Sequence, residues 1–250
     1  MKIPTLIAHR GYAARYPENT LAGIEAALEA GACVIEIDIQ ITADKIPVLL
    51  HDTSLERVTG KSGNIHQLRF DELGHYSVCE PDRPGLLATD SHIPSLAELV
   101  SLLEKWPQAR IMIELKKECL DSLDCETLIT RVLEICEPLG KRAIIISYIT
   151  KILDEVRSQS TLAIGWVLTL HNPDAHTTAN TLRPDYIICN HNKINSADDL
   201  WPGSWQWALY EIIDADLALT WANRGAAFIE TMAIADLLEK APLSQGRCHA

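Results

Sequence analysis

Charged and imidazole side chains stand inside or directly after apolar segments in the first half of the chain. They are His9, Arg10, Glu36, Asp38 and His51, followed by Glu114 and Lys116. A charged group in an apolar strand is costly unless it is paired with an opposite charge or bound to a metal. These residues therefore need a reason to be there, and we interpret that reason as catalysis.

Three of these residues are carboxylates on predicted strands. If Glu36, Asp38 and Glu114 converge, their charges repel one another, and Lys116 offsets only one of them. A hard divalent cation with oxygen ligands removes the repulsion, which favours Mg²⁺ or Ca²⁺ over zinc. The alternative is a set of separate ion pairs with arginines or lysines of neighbouring loops. One apolar strand carries the pair Glu36 and Asp38, and another carries Glu114 and Lys116. The repetition of charged pairs on apolar strands favours the metal site.

The two histidines each end a predicted strand. His9 and His51 can act as base and acid in one reaction, because the ordinary pKa of histidine lies near neutrality. The alternative is that each is a buried histidine with its hydrogen bonds satisfied. Arg10 and Lys116 offer cationic donors to a phosphate group. Their alternative is a salt bridge to the same carboxylates, which does not exclude the phosphate role.

The elements that must position these residues begin with a strand at Leu6–His9. Gly11 follows it and allows a sharp turn of the backbone. A helix is predicted to begin near Leu21, where apolar residues recur at helical spacing. Either Asn19 or Thr20 can cap its start.

The second strand is predicted over 34–40, where Glu36 and Asp38 share one face because side chains two apart in a strand point the same way. Only a short turn separates it from the next apolar run, 46–51. A parallel crossover needs about a dozen residues, so this link is predicted to be a hairpin. The strand that carries His51 is therefore an addition to the main sheet.

Strands and helices continue to alternate along the rest of the chain. Further strands are predicted at 110–116, 143–148, 162–168, 186–190, 206–212 and 226–231. Helices are predicted from Leu96 to near Trp106 and at 125–137, 149–158 and 215–224. Without the hairpin strand this gives eight strands, which predicts an α/β fold of the TIM (β/α)8 barrel type. The active site of such a barrel lies at the C-terminal ends of the strands, where the candidate residues fall.

The polar stretch from about 52 to 92 is predicted to be a small insertion with little regular structure besides a short helix at 69–73. Its histidines, His66, His75 and His92, are expected at the surface. The sequence shows no internal repeat and no linker. We therefore expect a single domain over 1–250.

Composition limits the partners. The formal net charge of −12 argues against nucleic acid or an anionic membrane as partner, although an anionic small substrate remains compatible if local cations reverse the field. No apolar run reaches the roughly 18 residues of a membrane span. The first strand begins at about Thr5, which leaves no room for a signal peptide. Seven cysteines without a C-x-x-C spacing indicate reduced thiols, and together these features predict a cytosolic protein.

The motifs that carry these residues resemble those of the glycerophosphodiester phosphodiesterase family. They are H-R-G at 9–11, P-E-N-T at 17–20, E-I-D at 36–38, V-L-L-H-D at 48–52, L-E-R-V-T at 55–59, I-P-S-L-A-E-L at 93–99 and I-E-L-K at 113–116. Together they cover roughly the first half of the chain, and the match is looser from Ser147 onward. The short insertion after His51 resembles that of compact bacterial members.

The resemblance implies roles for individual residues. It implies His9 and His51 as the general acid–base pair. It implies Glu36, Asp38 and Glu114 as ligands of a divalent cation, usually Mg²⁺ or Ca²⁺. It places Arg10 and Lys116 on the phosphate, and Glu18 matches a position that supports the first strand.

The sequence departs from the family pattern in three places. Lys45 stands where the family turn T-x-D-G has its glycine. The late W-T-V-N motif aligns with 210–213, Tyr-Glu-Ile-Ile, and the T-D-x-P motif aligns with 231–234, Thr-Met-Ala-Ile. These losses spare the acid–base pair and the metal ligands. They affect the region where the family contacts its substrate, and so leave the alcohol specificity open.

The expected activity is metal-dependent hydrolysis of small-molecule glycerophosphodiesters to sn-glycerol 3-phosphate and an alcohol. One alternative is a related phosphodiesterase such as a lysophospholipase D. That enzyme would need an exposed apolar lip, for which Trp201, Trp205 and Trp207 are the candidates, although core packing is the more common fate of tryptophan. A less favoured alternative is a non-catalytic barrel that binds a phosphate ligand. The oligomeric state is left open.

Overall fold

Eight parallel strands close into a barrel in this computed structural model, which describes residues 2–87, 91–195 and 198–248. The strands are β1 Thr5–His9, β2 Val34–Ile41, β3 Pro47–Leu49, β4 Arg110–Leu115, β5 Ala143–Ser147, β6 Ala163–Val167, β7 Tyr186–Asn190, β8 Gln206–Tyr210 and β9 Ala226–Thr231. β1 pairs with both β9 and β2, which closes the sheet, and β3 pairs antiparallel with β2 alone. The predicted TIM barrel and its hairpin are confirmed.

The connecting segments are mostly helical. The α-helices are α1 Leu21–Glu29, α2 Glu56–Thr59, α3 Leu96–Leu103, α4 Cys125–Cys136, α5 Thr150–Gln159, α6 Pro173–Leu182, α7 Ala215–Asn223 and α8 Ile234–Leu238. Short 3-10 helices lie at Ile65–Gln67, Phe70–His75, Lys117–Asp121, Glu137–Arg142, His191–Lys193 and Leu243–Gly246. Within the described residues, no helix is both long and apolar enough to cross a membrane.

Three α-helices, α2, α6 and α8, were not predicted from the sequence. Only Ala179 and Leu182 of α6 are buried, so its sequence lacks the apolar stripe that reveals a helix. Its start is set instead by Asn172, whose side chain accepts a hydrogen bond from the Ala175 N–H at 2.8 Å. α2 and α8 have four and five residues, too few to show a period.

The interior of the barrel changes from apolar to polar along the strands. Its apolar part includes Ile7, Val34, Met112, Ile146, Ile188 and Phe228. Side chains alternate between the two faces of a strand, so the next inward position lies two residues further on. On β1, β2, β4 and β9 those positions hold His9, Glu36, Glu114 and Glu230. The alternation thus places imidazole and carboxylate groups together at the C-terminal end of the barrel.

The segment after β3 packs around an apolar cluster of its own. The cluster is Val48, Leu50, Leu55, Val58, Ile65, Leu73, Val78 and Ile93. The predicted helix at 69–73 is a 3-10 helix at Phe70–His75, and residues 88–90 of the predicted insertion lie outside the described residues. His75 and His92 are exposed as expected, whereas His66 is only partly exposed, with its Nε2 3.1 Å from Gln40 Oε1. The assignment of 1–250 to one domain stays a prediction.

The hairpin turn contains one of the departures from the family pattern. Lys45, which stands in place of the family glycine, has a φ of 68°, the left-handed conformation that glycine favours. Its backbone N–H donates to Thr42 O at 3.0 Å, and its carbonyl accepts a hydrogen bond from Arg131. A lysine therefore occupies this left-handed position, and its backbone N–H and carbonyl are both hydrogen-bonded.

Gly11 is predicted to tolerate no side chain. Its φ is 81°, and a Cβ there would lie 2.8 Å from the backbone carbon of Gly23. We expect Gly11→Ala to lower the free energy of unfolding by about 1–3 kcal/mol, measured by urea denaturation. Gly74→Ala is the control, because a Cβ at Gly74 meets nothing within 4 Å. Equal stability of the two variants would contradict the expectation.

Candidate active site

A cavity of about 200 Å³ opens at the C-terminal end of the barrel. Six of the predicted site residues line it: His9, Arg10, Glu36, His51, Glu114 and Lys116. Asp38 lies directly behind them, with 1% of its surface exposed. The fold therefore brings these seven of the eight predicted residues to one place, and the eighth, Glu18, contacts Arg10.

Three carboxylates form the acidic side of the cavity. One oxygen from each of Glu36, Asp38 and Glu114 lies within 4.8 Å of the others. The strand register explains this, because Asp38 on β2 stands directly beside Glu114 on β4. A buried set of oxygen donors of this kind fits a hard divalent cation.

Two cationic side chains lie between these carboxylates. Arg10 Nε is 2.9 Å from Asp38 Oδ2, and Lys116 Nζ is 2.7 Å from Asp38 Oδ1 and 2.5 Å from Glu114 Oε1. Burial alone would raise the pKa of Asp38, but Arg10 and Lys116 hold it well below its usual range. The ion pairs expected as an alternative are therefore present, and Arg10 and Lys116 still face the cavity.

Asn19 and Glu18 fix these groups from behind. Asn19 donates from Nδ2 to Asp38 Oδ2 at 3.0 Å and accepts from the Asp38 N–H at 3.2 Å. Glu18 binds Arg10 Nη1 at 3.0 Å through Oε2, in line with its predicted supporting role. Asn19 adopts a φ of 56°, and in this conformation its side chain binds Asp38, one of the candidate metal ligands. The sequence had shown Asn19 only as a possible helix cap, and Thr20 performs that role.

His9 lies between two carboxylates. Its Nε2 is 3.2 Å from Glu230 Oε1 and 3.8 Å from Glu36 Oε2, while its Nδ1 is buried without a hydrogen-bond partner. Burial and the nearby charge of Arg10 lower the pKa of His9 to about 3. His9 is therefore neutral near pH 7, and Nε2 is the nitrogen on the cavity side.

Glu230 was missed by the sequence reasoning. The signal was available, because Phe228, Ile229 and Glu230 repeat the pattern by which Glu114 follows Met112 and Ile113. Burial, with the charges of Glu114 and Asp38, raises the pKa of Glu230 to about 8. Burial and neighbouring carboxylates also raise the pKa of Glu36 well above its usual range. The cavity thus has more carboxyl groups than Arg10 and Lys116 pair with.

The His51 ring is held by Asp52. Its Nδ1 lies 2.6 Å from Asp52 Oδ1, and its backbone carbonyl accepts a hydrogen bond from Gln40 Nε2 at 3.0 Å. Asp52 also binds Arg57 Nε at 2.6 Å, and Arg57 Nη2 reaches Glu18 at 2.7 Å. Burial would raise the pKa of Asp52, but the bonds to His51 and Arg57 lower it. A continuous chain of charged contacts therefore connects His51 with Glu18 and, through it, with Arg10.

The far wall of the cavity carries the altered late motif. The Tyr148 and Tyr210 hydroxyl oxygens are 2.9 Å apart, and Glu211 accepts a hydrogen bond from Asn190 Nδ2 at 2.7 Å. Tyr148, Tyr210 and Glu211 all line the cavity. Trp201, Trp205 and Trp207, the predicted candidates for an apolar lip, do not line it. Trp205 and Trp207 are buried in the core between sheet and helices, and Trp201 stacks on His171 with ring centroids 4.2 Å apart.

Comparison with known proteins gives a consistent result. Residues 9–197 match the model of the glycerophosphoryl diester phosphodiesterase family. The chain is 40% identical over 95 residues to glycerophosphodiester phosphodiesterase 1 of Rattus norvegicus, covering 38% of this chain and 29% of that protein. It is 37% identical over 115 residues to the lysophospholipase D GDPD1 of the same organism, covering 44% of this chain and 35% of that protein. The matched region thus spans about a third of the length of these curated relatives.

The fold has close counterparts among solved structures. A phosphodiesterase of Oleispira antarctica, in complex with the product sn-glycerol-3-phosphate, superposes with a TM-score of 0.80. It is 22% identical in sequence, and the match covers 95% of this chain and 96% of that one. The motifs, the barrel and the family match over most of the chain lead to one conclusion. This chain belongs to the glycerophosphoryl diester phosphodiesterase family.

Proposed function

We propose that this protein hydrolyses glycerophosphodiesters to sn-glycerol 3-phosphate and an alcohol such as choline or ethanolamine, with the help of Mg²⁺ or Ca²⁺. One observation carries the proposal: His9, His51 and three carboxylates converge on one cavity with Arg10 and Lys116. The similar fold of the Oleispira antarctica phosphodiesterase, which binds sn-glycerol-3-phosphate, supports a small phosphate ligand.

The two histidines are assigned to different proton transfers. His9 is neutral because burial and Arg10 lower its pKa to about 3, so its Nε2 can accept a proton from the attacking hydroxyl or water. His51 is bonded through Nδ1 to Asp52, which leaves Nε2 to donate a proton to the leaving alcohol oxygen. We therefore propose His9 as the general base and His51 as the general acid.

Charge stabilisation must supply most of the remaining rate enhancement. Acid–base help contributes roughly 10²–10⁴-fold, far less than phosphodiester hydrolysis requires. Arg10 and Lys116 are held at the cavity by buried carboxylates and present positive charge to a bound phosphate. Glu36, Asp38 and Glu114 would hold a divalent cation, which when bound supplies Lewis-acid stabilisation of the charge on the phosphate oxygens.

A lysophospholipase D activity is the second candidate. Two curated relatives carry that name. Two apolar side chains are also exposed in loops at the same end of the barrel as the cavity. They are Leu170, 58% exposed, after β6 and Ile213, 68% exposed, after β8. The cavity itself is small and lined mainly by charged and polar groups, which fits a glycerophosphate group better than an acyl chain. We therefore place the glycerophosphodiester first.

The purified protein is expected to release glycerol 3-phosphate from glycerophosphocholine. Removing divalent cations with EDTA is expected to lower the rate at least about 100-fold, since a bound cation stabilises the transition state by several kcal/mol. Added Mg²⁺ or Ca²⁺ should restore it. Activity that survives chelation would remove the cation from the mechanism, and faster release of choline from lysophosphatidylcholine would favour the second candidate.

A further inference from the structure

The buried carboxyl groups around the cavity divide into two groups by their partners. Asp38 is paired with Arg10 and Lys116, and Glu114 is paired with Lys116. Glu36 and Glu230 form no ion pair with a lysine or arginine anywhere in the described parts of the chain, and both are at most 3% exposed. Glu36 and Glu230 are therefore the buried carboxyl groups of this cavity that have no cationic side chain beside them in the described parts of the chain.

The imidazole of His9 stands between these same two carboxylates. The Nε2 atom of His9 and one oxygen from each of Glu36 and Glu230 all lie within 4.8 Å of one another. Ligand atoms around a divalent ion bound at about 2.0–2.2 Å are themselves roughly 3–4 Å apart. The separations of 3.2 Å to Glu230 and 3.8 Å to Glu36 already fall in that range.

The three residues are carried by adjacent paired strands, so their backbone positions are fixed relative to one another. β1 lies between β2 and β9, with His9 in register with Glu36 and Ile7 in register with Glu230. The set combines one nitrogen and two oxygen donors, whereas Glu36, Asp38 and Glu114 offer oxygen alone. A nitrogen ligand favours borderline cations such as Zn²⁺ or Co²⁺ over Mg²⁺ or Ca²⁺.

We propose that His9, Glu36 and Glu230 form a second divalent-cation site, selective for Zn²⁺ and similar ions, that shares Glu36 with the predicted Mg²⁺ or Ca²⁺ site. Glu230 makes this site possible and stands outside the family motifs that match this chain. Occupancy engages the Nε2 lone pair of His9. In the proposed function that lone pair accepts a proton. Resting on that function, we expect zinc bound at this site to inhibit hydrolysis.

The primary experiment measures binding and needs no substrate. Zn²⁺ is titrated into the Mg²⁺-loaded protein while the histidine ring signals are followed by NMR. The wild type is expected to show a shift of the His9 ring signal that saturates with one Zn²⁺. Glu230→Gln, which keeps the side-chain shape but removes the charge, is expected to weaken this binding at least about 10-fold. Glu211→Gln is the matched control, because Glu211 lines the same cavity but makes no contact with His9.

A second measurement follows hydrolysis. The Zn²⁺ concentration that halves the rate is expected to rise at least about 10-fold in Glu230→Gln, each variant being compared with its own rate before zinc is added. The second site would be overturned if the His9 ring signal did not shift with Zn²⁺, or if wild type and Glu230→Gln bound zinc equally well. Neither outcome would affect the proposed hydrolysis. A protein that binds Zn²⁺ as described but cleaves no diester would instead refute the proposed function alone.

Discussion

His51→Ala is expected to lower kcat for glycerophosphocholine hydrolysis by about 10²–10⁴-fold, the range that general acid catalysis contributes. The alcohol oxygen would leave without a proton from Nε2, and no other imidazole lines this cavity except His9 among the described residues. The fold should survive, because the His51 side chain is about one-third exposed. Steady-state kinetics and a circular dichroism spectrum check both expectations.

His75→Ala is the matched control for this experiment. His75 also lies in the segment after β3, but its side chain is exposed and away from the cavity. Its kcat should equal that of the wild type. His9→Ala is expected to fall in the same range as His51→Ala, because both histidines move protons in one reaction. Near-normal turnover of either histidine variant would overturn the acid–base pair.

Arg10→Met is expected to lower the free energy of unfolding by about 3–5 kcal/mol at neutral pH in the presence of EDTA. Methionine fills similar space without charge, so the buried carboxylates of Asp38 and Glu18 lose the cation that lies 2.9 and 3.0 Å from them. Urea denaturation gives the value directly. Arg69→Met is the control, because Arg69 is 61% exposed and surface ion pairs contribute only about 0–1 kcal/mol.

The pH dependence separates lost charge pairing from lost packing. Arg10 and Lys116 lower the pKa of Asp38, and Arg57 and Arg10 lower the pKa of Glu18. A carboxyl with a lowered pKa in the folded protein stabilises the fold above its unfolded pKa, and the contribution disappears as pH falls through the folded value. The difference between wild type and Arg10→Met should therefore be full at neutral pH and shrink below about pH 4. A difference that stays constant down to low pH would identify packing as the cause.

The strand pattern explains why the barrel was predictable. Alternating apolar residues, as in Val34–Ile41, mark a strand regardless of what surrounds it, and eight such strands with connections of helix length leave few topologies. The short link before β3 likewise admitted only a hairpin. α6 escaped prediction because it buries too few apolar residues to show a period.

The functional residues also divide into those that the sequence reveals and those that only the structure reveals. His9, Glu36, Asp38, His51 and Glu114 were recognisable because a charge within an apolar strand is visible in the sequence alone. Glu230 carried the same local signal but stands outside the matching motifs, so only the closure of β9 onto β1 shows that it reaches His9.

The sequence by itself determined the strand order, the hairpin and the residue types that meet at the C-terminal end of the barrel. These follow from side-chain alternation and connection length, which are local properties of the chain. The tertiary structure alone decided the partners: Arg10 with Asp38 and Glu18, His51 with Asp52, and His9 with Glu230. A pairing is settled by distances between side chains, and between distant segments those distances exist only once the strands have closed the barrel.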